Sequence, residues 1–359
     1  MDEYKIYRLR DLVSIKYGKD HKALSDGTIP VFGSGGIMRY VNQAIYDKPS
    51  VLIPRKGSLN NIIYSDTSFW TVDTMFWTVV NENIVNSRYL YYNLCRFDFA
   101  GMNVGSAVPS LTVPVIEAIE LNLPPLCIQK EIVRILKSLD DKIALNKRIN
   151  DNLEKQAQAL YKSWFVDFEP FKDGKFVDSE LGEIPEGWNI CTLRDLIIVK
   201  YGKDHKRLHD GKIPVYGSGG VMRYVDEYLH SGESVLIPRK GTLNNVFYVN
   251  EKFWSVDTMF YTQMKQRRIA KYIYFFVSSQ NLISMNAGSA VPSMTTEILN
   301  SLKCVIAPLS VMERFDVLQT PIFETMRKNS VESEKLSEIR DSLLPKLMSG
   351  ELKINDLNS

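Results

Sequence analysis

Two stretches of the chain carry hydrophobic residues at the alternating three- and four-residue spacing of a heptad repeat. The first lies within 128–164 and the second within 315–343. Each stretch predicts a long helix with polar residues at the middle of its apolar stripe. The stripe positions are Ile132, Leu136, Leu139, Asn146, Leu153 and Leu160 in the first helix, and Phe315, Ile322, Asn329, Leu336, Ile339 and Leu343 in the second.

The two stripes match when the helices are laid antiparallel. The opposed pairs are then Ile132 with Leu343, Leu139 with Leu336, Asn146 with Asn329, Leu153 with Ile322, and Leu160 with Phe315. A shifted register would place an asparagine against a leucine, so the polar layer favours one alignment. Ile143 fits poorly because it would face Glu332, and Pro321 should kink or break the second helix. The alternative is that each helix packs on its own domain.

The remainder of the chain is a duplicated domain. The sequence of residues 9–36 returns at 193–220, and SVLIPRKGSLNN at 50–61 returns as SVLIPRKGTLNN, 184 residues later in each case. By our count roughly 60% of positions 12–78 are identical to their counterparts, which is more than a shared architecture requires. A repeat of this length indicates a duplicated domain and not a solenoid of short units.

Each copy, called a module here, has the pattern of a β-rich α+β domain. Short β-branched and aromatic runs such as SVLIPR and MFWTVV are separated by Gly, Asn, Asp and Pro turns. Short amphipathic helices are predicted at 87–97 and 270–280. We therefore predict an α+β chain of four segments, namely module 1 (1–125), spacer helix 1 (126–166), a linker with module 2 (167–308), and spacer helix 2 with a C-terminal tail (309–359).

The predicted length of the two helices implies that the two modules are separated. From Ile132 to Leu160 is roughly 42 Å at 1.5 Å per residue. An antiparallel coiled-coil spacer would give the chain a pseudo-two-fold axis, and dimeric DNA readers match such an axis to two half-sites. A separation of about 40 Å corresponds to about a dozen base pairs. The pattern therefore favours a protein that reads a DNA sequence in two parts.

Composition narrows the class of protein. A chain of 359 residues with 45% hydrophobic and 24% charged residues can bury the cores of about two domains. It has no apolar run of about 18 residues, which excludes a membrane span, and its charged N-terminus lacks the apolar segment of a secretory signal. Four scattered cysteines argue against a disulfide framework and favour the reducing cytoplasm. The net charge of +2 leaves room for a basic face.

Motifs that carry chemistry are absent from the sequence. We find no glycine-rich nucleotide fingerprint and no phosphate-binding loop. An Asn-Pro-Pro-aromatic methyltransferase motif is also missing, since the string beginning at Asn122 has the wrong spacing. The four histidines lack the spacing of metal ligands. We therefore predict no catalytic residue, no metal site and no cofactor.

Basic, amide and glycine residues cluster in loops at the same places in both modules. Lys and Arg neutralise phosphates, Arg reads guanine, and Asn reads adenine through its amide. The alternative for a loop Lys is solvation, and for an Asn beside Gly it is turn geometry. The predicted DNA-binding residues are Lys19, His21, Lys22, Arg39, Arg55, Lys56, Asn60 and Asn61 in module 1, and Lys203, His205, Lys206, Arg207, Arg223, Arg239, Lys240, Asn244 and Asn245 in module 2.

Other repeated residues have a structural interpretation or two open ones. We predict core positions for the tryptophans and turn or capping positions for the aspartates of the repeated FW-V-DTMF run. The serine of each GSAVPS loop has two equal interpretations, a phosphate contact or a backbone cap. These residues are Trp70, Trp254, Asp73, Asp257, Ser106 and Ser289.

Several segments resemble the specificity (S) subunit of type I restriction–modification systems. They are LNLPPLCIQKEIVRIL (121–136), ALYKSWFVDFEPF (159–171), GEIPEGW (182–188), RDSLLPKLMSGEL (340–352), and the paired DTMF and GSAVPS elements. The resemblance covers essentially the whole chain. It implies two target-recognition domains that bind the halves of an interrupted site on double-stranded DNA. It also implies that the spacer helices dock two modification (methyltransferase) subunits.

The same resemblance implies a non-catalytic subunit that directs adenine methylation, or cleavage when restriction (nuclease/translocase) subunits join. Because the modules are nearly identical, the half-sites should form a near-palindrome with a spacer. Differences that would break this symmetry are Ala23/Arg207, Ser25/His209, Thr28/Lys212, Ser58/Thr242 and Trp77/Tyr261. Two alternatives stay open, a recognition component of another DNA methyltransferase–nuclease system and an enzyme whose motifs are not apparent.

Overall fold

The structure is a computed structural model that describes residues 4–105, 108–288 and 292–353. The chain divides into two compact units according to its internal contacts. Unit 1 combines Met1–Asn146 with Val331–Ser359, and unit 2 comprises Lys147–Ser330. Each unit therefore contains one module and one portion of each long helix.

Module 1 lies in unit 1 and is mainly β-sheet. Its elements are β1 (Lys5–Arg8), α1 (Leu9–Leu12), β2 (Val13–Tyr17), β3 (Asp26–Gly33), β4 (Gly36–Val41), β5 (Ser50–Pro54), β6 (Ile63–Ser65), β7 (Trp70–Thr71), β8 (Met75–Val80), α2 (Ser87–Leu94), α3 (Val113–Glu117) and β9 (Glu120–Leu123). One sheet has the order β2-β8-β5-β6 and another has the order β4-β3-β7. Strands β1 and β9 pair antiparallel, so the first and last strands of the module are neighbours.

Helix α4 (Leu126–Phe165) follows module 1 and continues into unit 2. A connecting segment then leads to module 2, which is followed by a second long helix. The elements are β10 (Phe176–Val177), β11 (Ile184–Pro185), β12 (Asn189–Thr192), α5 (Leu193–Leu196), β13 (Ile197–Tyr201), β14 (Asp210–Gly217), β15 (Gly220–Val225), β16 (His230–Pro238), β17 (Phe247–Ser255), β18 (Met259–Met264), α6 (Ala270–Ser279), α7 (Thr296–Ser301), β19 (Lys303–Ile306) and α8 (Leu309–Ser349).

The two modules share one topology. The sheet of module 2 has the order β13-β18-β16-β17-β14-β15. Module 1 repeats this order, except that β6 and β7 stand in place of the two ends of β17 and divide the sheet. The short helices predicted after the sheets are confirmed as α2 and α6. Helix α2 begins where the side chain of Asn86 accepts hydrogen bonds from the backbone N–H groups of Arg88 and Tyr89.

The core of unit 1 includes both long helices. Ile132 and Leu136 of α4, together with Leu347 of α8, are buried in one cluster with Phe76 and Leu90 of module 1. Burying an aliphatic side chain of this size contributes about 1.5–3 kcal/mol. The alternative that each helix packs on its own module alone does not hold for α8, because its C-terminal end packs on module 1.

In the core of unit 2 both long helices likewise pack on the module, here through aromatic rings. We call such a contact between the long helices and a module a joint. Phe165 of α4 lies with its ring centroid 4.9 Å from that of Phe315 in α8 and 4.8 Å from that of Tyr272 in α6. Trp164 and Tyr161 are buried in the same cluster. Since aromatic pairs in such contact add to the energy of burial, this joint should hold the helices firmly on module 2.

Farther from the unit 1 core, the two helices bond to each other. Lys142 of α4 forms an ion pair with Glu332 of α8 at 3.1 Å, and the Asn146 Nδ2 donates to the same carboxylate at 2.8 Å. Glu332 thus bonds polar neighbours of Ile143, the residue that it was predicted to face. This explains how a glutamate is tolerated at a stripe position.

The helix portions in unit 2 also pair. The Asn329 Nδ2 donates to the Asn150 Oδ1 at 2.8 Å, and the Asn150 Nδ2 donates to the carbonyl of Met326 at 2.9 Å. The Gln319 Nε2 donates to the carbonyl of Ala157 at 2.8 Å. In each unit, residue numbers rise along one helix as they fall along the other, so the predicted antiparallel pairing is confirmed.

The remaining stripe residues are at least partly buried, with one exception. Half-buried positions are Leu139, Leu336 and Leu343 in unit 1 and Leu153, Leu160 and Ile322 in unit 2. Ile339 is 47% exposed, so its assignment to the seam of the stripe is wrong. Pro321 was predicted to kink or break the second helix. The helix does not break there, because α8 is continuous from Leu309 to Ser349. Pro321 is exposed, and there water can replace the missing hydrogen bond.

Candidate nucleic-acid interface

Two loops of module 1 that carry predicted DNA-binding residues meet further loops of the module. The two are 18–25 between β2 and β3 and the segment 55–62 after β5, and the further ones are the hairpin end 34–35 and, within the described residues, 103–105 and 108–110. The turn 72–74 lies among them. The N–H groups of Arg55 and Lys56 donate to its Thr74 carbonyl, and those of Gly18 and Lys19 donate to the carbonyls of the residues that flank it, Met75 and Thr71. We call these segments the loop surface of module 1, and the equivalent segments form the loop surface of module 2.

Side-chain and backbone hydrogen bonds join these loops. The Asn61 Nδ2 donates to the carbonyl of Ser34 at 2.8 Å, which ties segment 55–62 to the hairpin end. The N–H of Gly57 donates to the carbonyl of Pro109 at 3.1 Å. In module 2 the same bonds run from Asn245 to Ser218 and from Gly241 to Pro292. Because these hydrogen bonds are repeated, the two loop surfaces are built in the same way.

The lysine-rich loop 18–25 is braced from two sides. A Cβ atom on Gly18 would lie 1.9 Å from a backbone carbonyl of the turn 72–74, so only glycine allows this approach. Trp70, predicted as a core residue and buried as expected, donates from its indole N–H to the carbonyl of Lys19 at 3.0 Å. The Asp20 carboxylate accepts the N–H of Lys22 at 3.0 Å, and this bond lowers the pKa of Asp20. Lys19 and Lys22 thus stand exposed on a fixed backbone.

Arg55 follows β5 and is held over an aromatic ring. Its Nη1 donates to the carbonyl of Asp73 at 3.2 Å, and its guanidinium lies 5.5 Å from the ring centroid of Tyr17. Asp73 lies in a turn, as predicted. The same arrangement is found in module 2 with Arg239, Asp257 and Tyr201. A contact of this arginine with a phosphate or a base stays a prediction; because the side chain is already oriented, such a contact would cost little conformational freedom.

Arg39 has a bracing role inside the module. Its Nη2 donates to the Asp26 carboxylate at 2.6 Å and to the carbonyl of Leu24 at 3.2 Å. Arg223 of module 2 bonds equivalently to Asp210 and Leu208. These bonds fasten the end of loop 18–25 to strand β4. A contact of either arginine with DNA stays a prediction.

The asparagines predicted to read bases fall into two groups. The Asn60 Nδ2 donates to the Asp98 carboxylate at 3.1 Å, and its Oδ1 accepts the N–H of Ala100 at 2.9 Å. Asn60, like Asn61 and Asn245, is therefore engaged in holding loops. Asn244 is exposed, and its side chain has no hydrogen-bond partner in the part of the chain that the structure describes. Adenine readout through both amide atoms is therefore expected most strongly at Asn244.

His21 and His205 are half-buried at equivalent positions. In both rings the Nδ1 atom is enclosed and has no hydrogen-bond partner among the described residues. The Nε2 atom is therefore the one left for a ligand. The other predicted contacts divide by exposure: Lys19, Lys22, Lys56, Lys203, Lys206, Arg207 and Lys240 are exposed, whereas Arg39, Arg55, Arg223 and Arg239 are half-buried.

Comparison with known proteins gives these surfaces a context. Residues 1–155 and 185–339 match the family model described as the type I restriction modification DNA specificity domain. The chain belongs to this family. Each match spans one module together with much of the long helix that follows it. The resemblance drawn from the sequence is thereby confirmed.

Curated relatives and a solved structure agree with the family. The type I restriction enzyme MjaIX specificity subunit of Methanocaldococcus jannaschii is 26% identical over 348 residues, covering 87% of this chain and 80% of the relative. The HindI specificity subunit of Haemophilus influenzae is 24% identical over 386 residues, covering 80% and 82%. The S subunit of the type I restriction–modification system from M. genitalium shares the fold, with a TM-score of 0.64 at 15% identity over 96% of each chain.

The role of a type I DNA specificity domain is sequence recognition in DNA, and the chain carries two of them. This function, expected from the duplication, is confirmed at the level of the family. In the described residues, no group of three or more His, Cys, Asp or Glu side chains is placed to hold a metal ion. Over the same residues, no helix is both long enough and apolar enough to cross a membrane.

Three further points concern the loop surfaces of these specificity domains. Arg207 is exposed in module 2 where module 1 has Ala23, which adds a positive charge to that loop. Ser106 and Ser289 lie outside the described residues. Sequence reasoning missed the exposed apolar side chains of β4 and β15, although the string G-[IV]-M-R-Y-V was visible in both copies.

Proposed function

We propose that the chain is the DNA-recognition subunit of a type I restriction–modification enzyme, with module 1 (1–125) and module 2 (within 167–308) each binding half of an interrupted site. The observation that carries this proposal is the repeated loop surface. Both copies present exposed lysines and a fixed arginine on loops braced by the same hydrogen bonds. Such a surface suits a polyanion whose bases must be read in one register.

The half-sites of this DNA are nearly the same sequence in inverted orientation. Identical side chains on equally braced loops present the same donors to a base edge, so they select the same bases. Arg207 and Lys212 give module 2 extra exposed positive charge. They strengthen its hold on phosphates and do not by themselves change the bases selected.

Two modification subunits dock on the long helices, and restriction subunits join through them. Support comes from apolar side chains that the helices leave exposed, among them Leu145 and Ile149 of α4 and Val331 and Ile339 of α8. Exposed apolar side chains of this kind are typical of surfaces that bind partner proteins. In this assembly the chain catalyses nothing and directs adenine methylation or cleavage. We place the assembly in the cytoplasm, where its DNA lies.

Methylome sequencing tests the proposal directly. The chain is expressed with the modification subunit encoded beside it, and modified adenines are mapped by long-read sequencing. We expect one interrupted motif with two nearly identical inverted halves. Charge reversal at Lys56 or at Lys240 should reduce methylation, with the same chain carrying Ile6→Ala as a control. Two unrelated half-sites would refute the prediction of a near-palindromic site, and absence of any methylated motif would refute the proposed recognition function.

A further inference from the structure

The hairpin of β3 and β4 carries a bulge at the same methionine position in both modules. Phe32 pairs with Ile37 and Val31 pairs with Arg39, so Met38 has no opposing residue. Strand β4 is an edge strand of its sheet. In module 2 the bulged residue is Met222, on the edge strand β15. Bulges of this kind redirect a side chain and often lie beside functional sites.

Apolar side chains next to the bulge are exposed to solvent. In module 1 the exposed fractions are 52% for Ile37, 59% for Met38 and 51% for Tyr40. The module 2 values are 46%, 59% and 42% for Val221, Met222 and Tyr224. Edge strands are normally protected by charged residues, so three exposed apolar residues on one edge strand need an explanation. Their presence in both copies indicates a shared use.

The position of Met38 depends on a glycine across the hairpin. A Cβ atom on Gly33 would lie 2.7 Å from the Met38 Sδ, which is closer than such atoms approach. Gly217 is crowded by Met222 in the same manner. Glycine therefore leaves the space in which the methionine side chain lies across the end of the hairpin.

The charged side chains around this strand indicate what kind of molecule binds there. The hairpin end at Ser34 is bonded to Asn61 of segment 55–62, which also carries the exposed Lys56. Arg39 lies on the strand itself but is paired with the Asp26 carboxylate. The exposed positive charge therefore comes from the lysines of the loop surface, Lys19, Lys22 and Lys56. An apolar edge flanked by cations complements a groove of duplex DNA, where phosphates border the bases. The major groove admits a two-stranded β-ribbon, and the thymine C5-methyl group is an apolar feature exposed there.

We propose that the β3–β4 hairpin of module 1, and the β14–β15 hairpin of module 2, each enter the major groove of a half-site. Met38 and Ile37, and likewise Met222 and Val221, contact thymine methyl groups there. This inference rests on the proposed DNA recognition and adds the side chains that read part of the sequence. It assigns specificity to apolar contacts as well as to hydrogen bonds.

Thymine-to-deoxyuridine replacement tests this contact because it removes only the methyl group. The full chain is titrated with duplexes that carry the methylated motif, with one half-site thymine replaced at a time. For at least one thymine in each half-site we expect about fivefold weaker binding, as for the loss of one buried methyl group. Met38→Ala should bind the unmodified duplex about fivefold more weakly and lose the sensitivity to deoxyuridine in one half-site. Met222→Ala should do the same in the other half-site.

Controls separate this inference from the proposed function. Ile6→Ala removes an apolar side chain that is 71% exposed on β1, outside the loop surface, and should bind like the unchanged chain. Full binding by Met38→Ala, unchanged deoxyuridine sensitivity in that variant, or half-sites without thymine would each overturn the methyl contact while DNA recognition stands. Failure of the unchanged chain to prefer its motif would instead refute the proposed function.

Discussion

Arg88 of module 1 and Lys271 of module 2 occupy equivalent positions on α2 and α6, yet they bond to different elements. Arg88 lies 4.4 Å from the ring centroid of Tyr64 and pairs with the exposed Asp66 at 2.9 Å. Lys271 is almost wholly buried and pairs with Asp316 of α8 at 2.6 Å. One cation thus lies near the surface of its module, and the other fastens a module to a long helix.

The joints between modules and helices differ at a second position. In unit 1 the Tyr92 hydroxyl donates to Asp140 of α4 at 2.5 Å, and Arg340 of α8 pairs with the same carboxylate. The equivalent residues in unit 2 are Phe275 and Phe323, whose ring centroids are 5.8 Å apart. The loop surfaces share most of their residues, whereas the joints differ. Each module is therefore fitted to its own helix contacts, although the two loop surfaces are built from largely the same residues.

The largest effect should follow from removing the buried cation. Lys271→Met leaves Asp316 and Glu233 without their partner, and we expect a loss of about 3–5 kcal/mol from the free energy of unfolding of unit 2. Arg88→Met should cost unit 1 about 1 kcal/mol or less, since its carboxylate partner stays in water. Hydrogen exchange measured by mass spectrometry on the full chain reports each unit separately.

A second variant distinguishes charge from packing. Val133 of α4 is the counterpart of Asp316 in α8, so Asp316→Val added to Lys271→Met removes most of the unpaired buried charge. Protection of α6 should then recover substantially, because replacing both partners of a buried pair is often nearly neutral. No recovery would mean that the lysine acts through its packed stem and not through its charge.

A smaller effect is expected at the first asparagine of each Asn-Asn pair. Asn60→Ala removes two hydrogen bonds that hold the segment 98–100, and should lower the local stability there by about 1 kcal/mol. Asn244→Ala should change stability by less than about 0.5 kcal/mol, because that side chain is exposed. Binding assays should give the opposite order if Asn244 reads a base, with a loss confined to one half-site. Equal stability losses would contradict the division of roles.

The smallest expected effect is a change in the stability of one loop at low pH. Hydrogen bonds from Asn60 and from the backbone N–H groups of Gly101 and Ala100 lower the pKa of Asp98. Since the folded pKa lies below the ordinary value of about 3.9, these bonds stabilise the loop above that pH and are lost as the pH falls through the folded value. The module 2 counterpart is Asn281, which does not titrate.

NMR spectroscopy checks this difference through amide resonances. The Ala100 amide should shift as the pH is lowered below about 4, whereas the Ser284 amide, which donates to the Asn281 side chain, should not follow the same titration. Asp98→Asn should remove the response from module 1. A shared titration in both modules would show that it arises elsewhere.

The duplication, the α+β modules and the antiparallel long helices were predictable because each depends on local pattern or on internal similarity. The bond from Asn61 to Ser34 was not, because it joins loops that meet only through the sheet order. The bulge at Met38 was also hidden, since it arises from the register of β4 on β3. Ile339 fits the heptad spacing yet is exposed, because spacing alone does not define the width of a helix seam.

Strands β1 and β9 begin and end module 1 side by side, and β12 and β19 do the same for module 2. A segment whose two ends are adjacent can be exchanged for another without altering the distance between the flanking parts of the chain. In evolution, a gene fragment encoding a different recognition module could thus replace either copy, while the long helix that follows it keeps its length. The same geometry would let one ancestral fragment be copied into both places.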